Sequence, residues 1–139
     1  MIVVDTNVLS EPLRPRPDPG VIEWLGEHAD RAAITAITLA ELQFGVQRLA
    51  AGRRRDALQA AIDRMEEAAA DRLLSFDRAA ARRWGSLRAE RERLGRPMSV
   101  EDGMIAAICL AGGHDLATRN RADFDGLGIT LHDPWQPRG

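Results

Sequence analysis

The chain contains no lysine and no tyrosine, a single cysteine, and no long apolar run. Each absence excludes something. All 19 basic residues are arginine. A GC-rich codon bias accounts for most of them, although arginine is also the better bidentate partner for phosphate. Cys109 alone closes no internal disulfide, and its apolar helical setting reads as a small buried residue. With aromatics at 4%, stacking platforms for single-stranded bases are scarce. Trp24, Trp84, Trp135, Phe44, Phe76 and Phe124 mostly fall in apolar patterns. The three histidines, His28, His114 and His132, show no metal-ligand spacing, which disfavours zinc. No apolar stretch reaches the roughly 20 residues that cross a bilayer. The N-terminus lacks the basic, apolar and small-residue regions of an export signal. A cytoplasmic protein without a membrane segment is expected.

What remains is ordinary in bulk. The 139 residues are 45% apolar and 29% charged, with a net charge of −2. That suits one domain, residues 1–139, with a real core. Ile2 to Val4 reads as a buried strand. The prolines at 12, 15, 17 and 19 make the stretch from Pro12 to Gly20 a loop, with helix resuming at Val21. Ala32 to Thr35 reads as a second strand, then Thr38 to Leu49 and Arg53 to Ala70 as helices. Leu73 to Phe76 is a weak third strand. Helices follow over Asp77 to Leu94 and Ser99 to Ala111, the first stopped at Gly95 and the second at Gly112-Gly113. Asp115 to Thr118 and Ile129 to Leu131 are short strands, and Pro134 to Gly139 trails over the surface. This alternation predicts an α/β fold, a three-layer α/β/α sandwich with a mostly parallel central sheet.

Four acids stand out by position. Asp5 follows the first strand and opens Asp5-Thr6-Asn7. Glu41 lies in Thr38-Leu39-Ala40-Glu41-Leu42. Asp102 is at the start of an apolar helix, and Asp123 closes a segment that begins Thr118-Arg119-Asn120. Each has a structural explanation. Thr38-x-x-Glu41 matches a capping box, and Ser99-x-x-Asp102 matches it loosely. Asp5 suits a helix cap, and Asp123 suits a turn. Capping does not explain why two polar clusters, Asp5-Thr6-Asn7 and Thr118-Arg119-Asn120, each end a strand. In an open parallel sheet those ends meet in one crevice. Two unit charges 4 Å apart repel by about 4 kcal/mol at an effective dielectric near 20. Carboxylates gathered there need protons or a metal, and an all-oxygen site suits Mg²⁺ or Mn²⁺.

These blocks resemble the PIN-domain proteins, and within them the VapC and FitB-type toxins of bacterial toxin–antitoxin pairs. The resemblance is carried by Asp5-Thr6-Asn7-Val8-Leu9-Ser10-Glu11, by Thr38 to Leu42 with Gly45, and by Gly95-Arg96-Pro97 leading to Asp102 and Ile105-Ala106-Ala107. It continues through Thr118-Arg119-Asn120, Asp123-Phe124 and Pro134-Trp135, so it spans nearly the whole chain. One departure is Gly103, where relatives more often carry alanine. The resemblance implies a Mg²⁺- or Mn²⁺-dependent endoribonuclease. It makes Asp5, Glu41, Asp102 and Asp123 the catalytic acids, with Asp5, Asp102 and Asp123 on the metal. Asp125, two residues on, competes for the fourth place. Thr6, Asn7, Thr118 and Asn120 match supporting positions. An antitoxin partner and a homodimer are also implied, the dimer surface being sought on the helices between Val21 and Leu49.

Something must bring RNA to an acidic crevice. Arg119 and Arg121, beside the site in sequence, are the candidates for phosphate contacts. Arg82, Arg83, Arg88, Arg91, Arg93 and Arg96 either extend that track or form a solvated face paired with Glu90 and Glu92. Two rival classes remain. An aspartyl-phosphate enzyme fits poorly, because the phosphatase pattern wants an acid where Asn7 stands and a receiver domain wants a lysine. A catalytically silent module that binds RNA or protein is the stronger alternative.

Overall fold

In the computed structural model, which describes residues 1–136, the apolar strands all pair in parallel. They are β1 (Ile2–Val4), β2 (Ala32–Thr35), β3 (Leu73–Leu74), β4 (Asp115–Ala117) and β5 (Leu131–His132), in the order β3-β2-β1-β4-β5. A strand covered on both faces reads as a continuous apolar run, as Ile2-Val3-Val4 does.

Side chains alternate across that sheet and divide the interior in two. Ile2, Val4, Ile34 and Ala117 join a core built on α1 (Thr6–Ser10), α2 (Pro19–Glu27), α3 (Ala36–Gln47) and α4 (Arg53–Ala68). Val3, Ala33, Leu116 and Leu131 face the other core, under α5 (Arg78–Arg93) and α6 (Val100–Gly112), with Phe124 from α7 (Arg121–Phe124). The result is the expected α/β/α sandwich. Cys109 is buried there, its thiol pushed up to about 12 by desolvation.

The proline-rich stretch is more ordered than expected. A 3-10 turn covers Glu11–Leu13, and α2 begins at Pro19 rather than at Val21. Proline costs nothing at a first helical position, and the Asp18 carboxylate caps by accepting from the Gly20 N–H at 2.8 Å. At the other end, Pro134 is buried and Trp135 packs against the first core, so these residues do not trail. Residues 137–139 of that expected tail lie outside the described residues.

The order of strands positions the site. The connections from β1 to β3 run over one face of the sheet, and those from β3 to β4 over the other. β1 and β4 are therefore neighbours whose chains leave in opposite directions, which opens a crevice at their carboxyl ends. Register puts Val4 opposite Ala117, and the Asp5 N–H donates to the Ala117 carbonyl at 2.9 Å. Asp5 and Thr118 emerge side by side at that edge.

Candidate active site

Asp5 is 4% exposed and both of its carboxylate oxygens accept hydrogen bonds. The Thr6 N–H donates to Oδ1 at 2.8 Å, while the Thr118 hydroxyl at 2.8 Å and the Asn7 amide at 3.3 Å donate to Oδ2. Asn7 also bridges to the second polar cluster, its Oδ1 accepting from the Arg119 N–H at 3.2 Å. The Asn120 N–H donates to Thr118 Oγ1 at 3.1 Å. The two polar clusters are one network laid across β1 and β4.

Glu41 is not a cap. Helix α3 begins three residues earlier than the capping box implies, because Thr35 is its N-cap and accepts from the Thr38 N–H at 3.1 Å. Glu41 therefore sits in the second turn, where its Oε1 accepts from the Thr6 hydroxyl at 2.8 Å. Thr38, fully buried, places its own hydroxyl 3.1 Å from that of Thr6. Sequence reasoning assigned Thr38 to capping and missed this role.

Asp102 does occupy the first turn of α6. Ser99 is the cap, its Oγ accepting from the Asp102 N–H at 3.1 Å, and a side-chain hydrogen bond with Ser99 favours the ionised form of Asp102. Gly103 has a packing reason. A Cβ there would stand 3.2 Å from the Trp84 indole nitrogen, so glycine lets α5 lie close to α6. Asp123 lies in α7, a short helix where only a turn was expected, and lines one cavity of about 380 Å³ with Asp102. Asp125 lines a separate recess with Arg121 and Leu131. The geometry thus groups Asp123, rather than Asp125, with the other acids.

The carboxylates affect one another. Burial raises the proton affinity of Asp5, against the three hydrogen bonds it accepts, and Asp123 raises it further. Burial also raises Glu41, opposed by the Thr6 hydroxyl and reinforced by Asp5 and Glu101. Asp102 is pushed up to about 6, by burial first and then by Asp5, with smaller pushes from Asp123 and Glu41. Among the described residues, no ion pair reaches any of the four acids. The site therefore has oxygen donors, excess negative charge and no neutralising side chain, which fits a hard cation. Among the described residues, no three Asp, Glu, His or Cys side chains are arranged to hold an ion between them as they stand. Mg²⁺ is commonly bound by one or two carboxylates with waters completing its shell, so the donor set fits a hydrated ion rather than a closed cage.

The arginines divide. The Arg119 guanidinium lies 5.0 Å from the Trp135 ring centroid, which holds it at the rim, and Arg121 is exposed. Arg91 does not belong to a solvated track. It is 7% exposed, and its Nε donates to the Arg96 carbonyl at 2.9 Å. Arg88 pairs with Glu92 at 3.4 Å, as the solvated-face reading has it.

The chain is similar to known proteins over nearly its whole length. The model of the PIN domain family matches residues 2–128. The chain is 37% identical to a VapC ribonuclease of Sinorhizobium fredii, with 99% of each chain covered. It is 34% identical to toxin FitB of Neisseria gonorrhoeae, over 97% of this chain and 99% of that protein. Among solved structures, a FitAB complex bound to a DNA fragment superposes with a TM-score of 0.93 at 32% identity, covering 100% of this chain and 99% of that one.

Proposed function

The chain belongs to the PIN-domain family, and we propose that it is the endoribonuclease toxin of a toxin–antitoxin pair, with Asp5, Glu41, Asp102 and Asp123 as its catalytic acids. The observation that carries this reading is Asp5 itself. It is a buried carboxylate at the switch point of a parallel sheet, held by three donors and electrostatically coupled to the other acids.

Each side chain has a task in this reading. Thr118, Asn7 and the Thr6 N–H favour the ionised form of Asp5 against its burial and fix its orientation. Asp5, Asp102 and Asp123 would hold Mg²⁺ or Mn²⁺, the ion keeping part of its water shell. The bound cation supplies a lowered water pKa and charge neutralisation at the phosphoryl oxygens. Glu41, oriented by Thr6, takes a proton from the attacking water. Arg119 and Arg121 contact RNA phosphates, and Trp135 restrains the first of them. In-line attack forms the bond from the water oxygen to phosphorus and breaks the bond to the 3′ oxygen, which takes up a proton and leaves as a 3′-hydroxyl, so that the other fragment carries a 5′-phosphate. The toxin reading adds an antitoxin that covers this crevice, and a homodimer.

Induced expression of the chain in a bacterium tests the biological half. Growth should arrest, and it should recover both with Asp5→Ala, checked for folding by circular dichroism, and with the protein encoded beside it. Arrest that persists with a folded Asp5→Ala protein would favour the silent binding module.

A further inference from the structure

Beyond the acids, a groove lies between α5 and the start of α6. Two adjoining cavities share Arg91, Pro97, Met98 and Ser99. One reaches Asp102 and Asp123. The other leads away from the acids to Trp84, Arg88 and Val100. The groove therefore adjoins the site proposed for chemistry.

Its far end carries a partly exposed aromatic ring. Trp24, by contrast, is 5% exposed and belongs to a core. Trp84 is only partly buried, and Arg88 and Val100 beside it are exposed. The Arg88 guanidinium stands 5.2 Å from the indole centroid. The indole also rests where Gly103, the residue after Asp102, lacks a Cβ. That missing methyl keeps an aromatic ring within one helical turn of a catalytic acid. Arg91 fixes the intervening wall by reaching both the Arg96 and the Asp125 carbonyls, at 2.9 and 3.5 Å.

On the ribonuclease reading above, we infer that Trp84 and Arg88 form a nucleobase subsite, which stacks a base of the single strand next to the phosphate being cut. The occupant follows from the chemistry. A planar ring and a planar cation offer stacking surfaces to any base. Arg96 at the groove's edge suits a phosphate. Only an unpaired strand presents its base faces, because a duplex keeps them stacked inside. The subsite therefore selects single-stranded segments or loops, and it makes cleavage depend on the base at one position beside the cut.

The test pairs enzyme variants with substrates. Single-stranded RNA oligonucleotides that the wild type cuts are compared with copies carrying an abasic residue at each flanking position in turn. For the wild type, kcat/KM should fall roughly tenfold or more at one position. Trp84→Leu should lose about the same on the intact RNA and show no further loss at that abasic position, while Trp84→Phe keeps the sensitivity. Melting curves establish that both variants fold. Cleavage that remains equally sensitive to the abasic residue in Trp84→Leu would overturn the inference and leave the nuclease reading standing. Should the protein bind RNA without cutting it, the nuclease reading fails alone, and the same comparison in Kd by fluorescence anisotropy decides the subsite. Absence of both binding and cutting overturns both. RNA cleavage untouched by Trp84→Leu, with weakened binding to the antitoxin, would overturn the subsite and assign the groove to that partner instead.

Discussion

At the scale of the residue, the site depends on hydrogen bonds that favour the ionised form of a buried acid. Thr118 makes the largest of these to Asp5. Thr118→Val removes that donor, so the proton affinity of Asp5 rises further. The acid limb of the rate–pH profile should move to higher pH, with activity at pH 6 falling more than activity at pH 8. An unmoved limb would mean that Asp5 does not set it. Asp102 makes a second prediction, about the metal-free protein. Its proton affinity is raised to about 6 in the folded chain, against an unfolded value near 4. The folded state therefore holds this proton more tightly than the unfolded state. Its stabilising effect is complete below about pH 4 and is lost as pH rises through about 6. At pH 7.5, Asp102→Asn should raise Tm by about 2–5 °C in EDTA, and the gain should shrink at pH 4.5 and with added Mg²⁺. A lower Tm at pH 7.5 would show that the charge is already compensated.

At the scale of the element, caps decide where each acid points. Thr35 and Ser99 begin α3 and α6, and each accepts from the N–H three residues on. Ser99→Ala should cost about 1 kcal/mol, measured by urea denaturation, and should also lower activity because the turn carrying Asp102 loosens. Glu41→Gln should change stability little and abolish cleavage, since its carboxylate caps nothing. A Glu41→Gln protein as destabilised as one without a helix cap would restore the capping-box reading. The sequence misplaces α3 here. Thr38-x-x-Glu41 satisfies the box pattern, but Thr35, three residues earlier, offers the same hydroxyl and lies at the true strand end, so the backbone turns there. The proline stretch misleads for a related reason. Proline excludes helix interiors but not the first turn, and Pro19 uses that exception.

At the scale of the whole molecule, the parallel sheet is legible because its strands are short apolar runs separated by helical periodicity. The meeting of Asp5 with Thr118 is legible because a parallel sheet brings strand ends to one edge. The order of strands is not, since short strands carry no register signal of their own. Nor is the choice between Asp123 and Asp125, which depends on a four-residue helix that reads as a turn. Trp84 is hidden as well, because a tryptophan on an apolar stripe reads as core until Gly103 is seen beneath it. The molecule must also bring a polyanion to an acidic crevice with a net charge of −2. On the function proposed above, Arg119 and Arg121 serve that role. Arg119→Ala and Arg121→Ala should each weaken RNA binding and flatten its dependence on log salt by roughly 0.7 for each phosphate left without its arginine, read by anisotropy titrations at several salt concentrations. The central claim is that this acid cluster cuts RNA with a divalent ion. It is tested most directly by incubating the protein, freed of any antitoxin, with total bacterial RNA in Mg²⁺ or Mn²⁺ and in EDTA, beside Asp5→Ala. Discrete fragments ending in 5′-phosphate should form, and they should vanish in EDTA and in the variant. Fragments that survive in both, or no fragments from the wild type, would contradict the claim.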